Sequence, residues 1–257
     1  MSNQHSQSNQ PNQSNQPNQF SLSNNPSQSN QPQQLRLNKF LAERLGISRR
    51  EADDAIFGGR VLVDGEPAKL GARIDKTQEV CYNGKIVPFG NTYLYLKLNK
   101  PTGYVCSRKR QGDIPTVYEL LPEKYRVLKT VGRLDKDSSG LILLTNDGDF
   151  AYKMTHPKFA KTKIYRVELN RDLEPLHQQM IADFGVQLAD GVSRLGLTRL
   201  RETDRKGFEV EMHEGRNRQI RRTFEALGYT VQKLHRLQFG PYGLGGLKSG
   251  EFSEIKA

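Results

Sequence analysis

The sequence predicts an α+β protein with two ordered parts behind a featureless tail. A small unit of two helices runs into short strands, and a larger domain with a mainly antiparallel sheet follows. Three observations predict it. Paired helical periodicity with caps sits just after residue 34. From residue 92 onward, strand-like stretches outnumber helical ones and are separated by turn signals. One run, Leu141-Ile142-Leu143-Leu144, is apolar throughout and bounded by turn residues, the pattern of a strand covered on both faces. The expected boundaries are 1–34 for the tail, 35–88 for the small unit and 92–257 for the larger domain.

The tail is almost entirely Ser, Asn, Gln and Pro, and Met1, Phe20 and Leu22 are its only apolar side chains. Such a segment cannot bury enough surface to offset its ordering entropy, so disorder is expected. Next, Leu37, Phe40, Leu41 and Leu45 recur at helical spacing, and Gly46 stops that helix. Ser48 with Glu51 forms a capping box for a second helix, whose apolar side is Ala52, Ala55 and Ile56. Arg49 and Arg50 fall in its first turn, where cations oppose the helix dipole. Phosphate contact explains them better than helix stabilisation does. Short strands are expected at 61–63 and 80–82, with turns at Asp64-Gly65 and Asn83-Gly84.

In the larger domain, Leu94, Leu96 and Leu98 alternate with polar neighbours until Asn99-Lys100-Pro101-Thr102-Gly103 ends the strand. A basic loop over 107–113 carries Arg108, Lys109 and Arg110. A short helix or turn at 116–121 precedes the central loop and the apolar strand, and Asn146-Asp147-Gly148 then opens a helix ending near Pro157. A strand at 162–169, a helix around 174–184 and a strand through Phe208, Val210 and Met212 follow. From Asn217 a helix should turn Ile220, Phe224 and Leu227 inward and Arg218, Arg221, Arg222 and Glu225 outward, with a last strand over 230–237.

The formal charge of +11 lies entirely between Leu35 and Ala257, because residues 1–34 carry no Lys, Arg, Asp or Glu. This favours a polyanionic partner. No apolar run of about 18 residues could span a membrane. Cys81 and Cys106 lack metal or redox spacing and fit free thiols, and the N-terminus lacks a signal-like apolar core, so the expected compartment is cytoplasmic. The histidines show no metal spacing, the 243–249 stretch departs from a phosphate-binding loop, and no Gly-x-Ser-x-Gly turn exists. No cofactor or metal is expected.

The stretch that organises the chain is Gly132-Arg133-Leu134-Asp135-Lys136-Asp137-Ser138-Ser139-Gly140-Leu141. It sets Asp135 in a polar turn just ahead of the buried strand, with Arg133 beside it. A carboxylate there can act as a nucleophile towards a ribose anomeric carbon, and equally can cap a turn. The residues alone leave both readings open.

Residues 132–141 resemble the catalytic motif of the pseudouridine synthases, in the ribosomal-RNA branch typified by RsuA and RluB. Asn99-Lys100-Pro101-Thr102-Gly103 resembles the family's first motif, Lys163-Ile164-Tyr165-Arg166-Val167 its tyrosine strand, and 214–222 its arginine motif. Leu37-Asn38-Lys39-Phe40-Leu41, 48–52 and Val63-Asp64-Gly65 resemble the alpha-L RNA-binding domain. The resemblance covers about residues 35–257 and departs from the family's habit at Ile164 and Thr223.

It implies that Asp135 is the nucleophile, that Tyr165 stacks on a flipped uracil, that Arg221 pairs with Asp135 and that Arg133 fills the vacated space. It also implies RNA contact through Lys39, Arg49, Arg50 and Arg60, to which we add Arg108, Arg110, Arg216, Arg218 and Arg222. The expected activity is isomerisation of one uridine in ribosomal RNA by a monomer, without a membrane partner, leaning towards the large subunit. Two rivals stay open: an inactive RNA-binding protein that kept the fold, and another RNA enzyme, such as a methyltransferase, on the same docking module.

Overall fold

The computed structural model describes residues 34–90 and 93–256. The tail expected to be disordered falls almost wholly outside them.

The N-terminal helices are Leu37–Arg44 and Arg49–Phe57. Ser48 caps the second, with Glu51 bonding back to the Ser48 amide. Leu37, Phe40, Leu41, Ala52, Ala55 and Ile56 close over Val61, Ile74 and Val80 as one core. At Asp64-Gly65 and Asn83-Gly84 both residues take positive φ (53° and 85°, 48° and 74°), the left-handed pair that a tight two-residue hairpin requires.

The larger domain is built on one nine-stranded sheet. Along its main path the strands run Gly196–Arg201, Asp204–Met212, Lys163–Leu169, Val231–Phe239, Ser139–Thr145, Tyr95–Lys100 and Phe252–Glu254. Every named pair is antiparallel except one: Val231–Phe239 runs parallel to Ser139–Thr145, with His235 opposite Ser139 and Arg236 opposite Gly140. The apolar run fulfils its pattern. Ile142 and Leu144 enter the main core, while Leu141 and Leu143 enter a second core with Met154 and Phe239 on the opposite face.

The parallel seam is tight at Gly140, which has φ +103°. A Cβ there would lie 2.3 Å from the carbonyl oxygen of Arg236. Only glycine lets the two backbones approach this closely. The same register places Tyr165 opposite Arg236, so Tyr165, Arg236 and Gly140 line up across three strands.

Several elements differ from expectation. The arginine-motif helix spans Gln219–Glu225, two residues later than predicted, because Arg218 takes a left-handed conformation (φ 48°, ψ 30°) and cannot start it. The hairpin Val186–Leu188 with Gly191–Ser193 and the strand Phe252–Glu254 were not expected. The two modules are tied by polar bonds. Lys39 Nζ meets Asp149 at 2.6 and 2.8 Å, and Lys129 Nζ donates to the Ile47 carbonyl at 2.7 Å.

Candidate active site

The 132–138 loop enters the sheet at the parallel seam and is held from beneath by Lys100. This lysine is fully buried, and its ammonium donates to the carbonyls of Ser138 (2.6 Å) and Pro101 (2.9 Å), reaching that of Lys136 at 3.5 Å. Burial pushes its pKa down, while nearby Asp135 and Asp137 act in the opposite sense. The lysine of the Asn-Lys-Pro-Thr-Gly stretch therefore fixes the loop carrying Asp135. The turn closes on itself as the Ser138 amide donates to the Asp135 carbonyl at 3.1 Å. Leu134 N also donates to Cys106 Sγ at 3.5 Å.

Asp135 opens onto a cleft of about 430 Å³ that also receives Arg133, Tyr165, Arg218, Arg236 and Lys163. A volume of this order suits a small organic group. The Asp135 carboxylate is about a third exposed (36 %), so a ligand in the cleft can reach it. Arg218 Nη1 donates to Asp135 Oδ2 at 3.5 Å and stands 4.0 Å from Asp137 Oδ2.

This corrects the expected pairing. Arg221 makes no hydrogen bond or ion pair to Asp135. It donates instead to the carbonyls of Val231 (2.8 Å) and Asp137 (3.0 Å), gripping the loop by its backbone. Burial, followed by the Arg218 charge, lowers its pKa. The left-handed turn at Arg218 delivers that guanidinium to the carboxylate, while the first helical turn places Arg221 under the loop, bonded to its backbone and still close enough to Asp135 to feel its charge.

Tyr165 is 7 % exposed and lines the cleft. Beside it lies Arg236, a residue that sequence reasoning passed over. It is 2 % exposed, its Nε donates to the Leu141 carbonyl at 2.7 Å, and its Nη1 reaches the Tyr165 hydroxyl at 3.5 Å. Its Nη2 is buried with no partner. Its face of the strand mixes Gln232 and Gln238 with Leu234, so the sequence carried no clear signal for a buried arginine there. Lys163 was also missed. Its Nζ donates to the carbonyls of Lys161 and Glu214, and burial lowers its pKa.

The residues expected to contact RNA divide into two groups. Arg49, Arg50 and Arg60 are exposed and form no ion pair among the described residues. The rest are engaged within the chain. Lys39 is committed to Asp149, and Arg110 to Glu119. Arg108, although exposed, donates to the Val127 and Leu128 carbonyls and covers the Tyr118 ring. Arg222 holds Asp190 through two bonds, at 3.0 and 2.7 Å. Arg216 lines the cleft, but its donors go to Asp190, Gly191, Val192 and Glu214. Arg216 and Arg222 thus pin the 186–193 hairpin against the helix. Thr223, one of the departures from the family's habit, is fully buried and donates to Ser193 Oγ at 2.7 Å, joining the same contact.

Two family models match the chain: RNA pseudouridylate synthase over residues 94–226 and the S4 domain over 35–80. A ribosomal small subunit pseudouridine synthase A of Pasteurella multocida is 37 % identical, covering 87 % of this chain and 97 % of the relative. A ribosomal large subunit pseudouridine synthase B of Bacillus subtilis is 33 % identical, covering 86 % and 91 %. A crystal structure of a pseudouridylate synthase superposes with a TM-score of 0.62 at 33 % identity, over 86 % of this chain and 96 % of that one.

Proposed function

The chain belongs to the RNA pseudouridylate synthase family, whose members isomerise uridine within RNA, and carries an S4 domain ahead of the synthase region; from that premise we propose that it converts one uridine of ribosomal RNA to pseudouridine, with Asp135 as nucleophile. The observation that carries the reading is a reachable carboxylate on a loop fixed from two sides. Lys100 and Arg221 hold its backbone, and Arg218 steadies its side chain. Preorganisation of this kind is what a reacting group requires.

A base in folded RNA is out of reach until it is flipped. Tyr165 then offers its ring to the extruded uracil, and Arg133, exposed at the rim of the cleft, fills the space left behind. Asp135 helps break the bond between ribose carbon 1′ and uracil nitrogen 1. The base turns and bonds to carbon 1′ through its carbon 5. Carbon 5 loses a proton and nitrogen 1 gains one, so no atom is added or removed and no co-reactant is needed. Relatives named for either ribosomal subunit match to nearly the same extent. The proposal therefore names ribosomal RNA, and the lean towards the large subunit stands as an expectation for mapping to decide.

The test is pseudouridine mapping across ribosomal RNA from cells carrying Asp135→Ala. One site should revert to uridine while the affinity of the purified variant for that RNA stays within about twofold, as a change away from phosphate contacts implies. Pseudouridines left intact at every site would favour the inactive RNA-binding protein.

A further inference from the structure

Three rings gather at the corner where the helix Gly148–Thr155 gives way to the short turn Pro157–Phe159. Tyr152 lies 4.7 Å from His156 and 5.8 Å from Phe159 between centroids, edge-on to the latter. Lys158 places its ammonium over both outer rings, 5.3 Å from Tyr152 and 4.8 Å from Phe159. Tyr152 is 46 % exposed and Phe159 36 %. Neither joins a hydrophobic core, although Phe150, Ala151 and Met154 of the same helix do. Core packing therefore does not account for aromatic residues at these two positions.

Two features tie the corner to the cleft. Thr155, His156 and Pro157 line the same cavity as Asp135 and Tyr165, so the ring cluster continues its wall outwards. The turn is also stiff. Proline opens it, His156 Nδ1 accepts from the Lys158 amide at 3.3 Å, and Ala160 ends it in a left-handed conformation (φ 42°). The Lys158 ammonium lies over both rings, which stand at 90° to each other, so a base would stack on the exposed part of one ring with the cation close enough to meet its phosphate. Flipping one nucleotide also leaves its neighbours without a stacking partner, which makes such a surface useful at this place.

We propose that Tyr152 and Phe159, together with Lys158, form a stacking platform for an unpaired nucleotide next to the target uridine. The inference rests on reading the cleft as an RNA-modifying site. Its ligand is a single-stranded nucleobase bound without regard to sequence, and its effect is on grip rather than on chemistry.

The test uses full-length protein carrying Asp135→Ala, so that affinity is read without turnover. Small- and large-subunit ribosomal RNA transcripts are the probes. Adding Tyr152→Leu with Phe159→Leu should weaken binding of the better-bound transcript about tenfold, the effect expected for losing a base–aromatic stack. Tyr152→Phe, which keeps the ring, should bind like its parent. With Asp135 restored, the paired leucines should raise KM rather than lower kcat. If the pair perturbs folding, Tyr152→Leu alone should still show a several-fold loss. Affinity within twofold after both rings are removed would overturn the platform, as would Tyr152→Phe losing as much as leucine. Because affinity here is independent of isomerisation, mapping can reject the proposed reaction without altering this answer, and the reverse also holds.

Discussion

Arg218 and Arg221 lie one helical turn apart and both reach the 135–138 loop, but through different bonds. Arg218 touches only carboxylates, from a backbone conformation that disfavours any residue except glycine. Arg218→Gly should therefore raise stability, by up to about 1 kcal/mol, as left-handed strain is relieved. Pseudouridine formation should fall at least about tenfold as the carboxylate loses its steadying partner. Arg221→Ala should behave differently. It strips donors from the Val231 and Asp137 carbonyls and should cost about 1–3 kcal/mol. Urea unfolding together with a tritium-release assay of both variants separates the two roles. The residue types were legible in the sequence through the resemblance of the motifs that carry Asp135 and the arginines, although Asp137 two residues on offers a second carboxylate. Which arginine meets Asp135 was not legible, since that depends on one φ angle at Arg218.

At the scale of elements, the hairpin that Arg216 and Arg222 hold carries a pH dependence of known sign. The hydrogen bond from Arg222 holds the Asp190 carboxyl below its ordinary range. In the window beneath that range the unfolded chain binds more protons than the folded one, so stability there rises with pH. Asp190's contribution is present above the ordinary carboxylate value and is lost as the pH falls through the folded value. Asp190→Asn should lower Tm at neutral pH, and the gap from the parent should close as the solution is acidified towards pH 3. Melting curves at stepped pH check this. Here legibility followed the local signals that were used. The Leu141–Leu144 run and the two Gly-containing hairpin turns declared themselves. The Val186–Leu188 and Gly191–Ser193 strands are as short as those expected at 61–63 and 80–82 and carry an Asp190-Gly191 pair at their turn, a signal that was passed over. Phe252–Glu254, by contrast, is held by pairing with Tyr95–Lys100 rather than by any local preference. Lys100 reads as part of a strand end, and only the fold reveals it as the rivet under the loop.

Across the whole molecule, the excess of 39 Lys and Arg over 28 Asp and Glu divides between internal ties and free surface. Arg49 and Arg50 belong to the free surface. Replacing both with alanine should weaken RNA binding and reduce the slope of log affinity against log salt by about 2, read from titrations at several salt concentrations. Lys39 and Lys129 belong to the other class, bonding the helical module to the sheet domain. That cross-bracing makes the protein a caliper. On the proposed function, RNA held at Arg49 and Arg50 would meet Asp135 across a span that these bonds help to set, so the separation between docking site and target uridine would matter to the reaction. One base pair inserted between the RNA segment that contacts Arg49 and Arg50 and the modified uridine should reduce modification of that uridine. Cutting the braces with Lys39→Ala and Lys129→Ala should restore part of it.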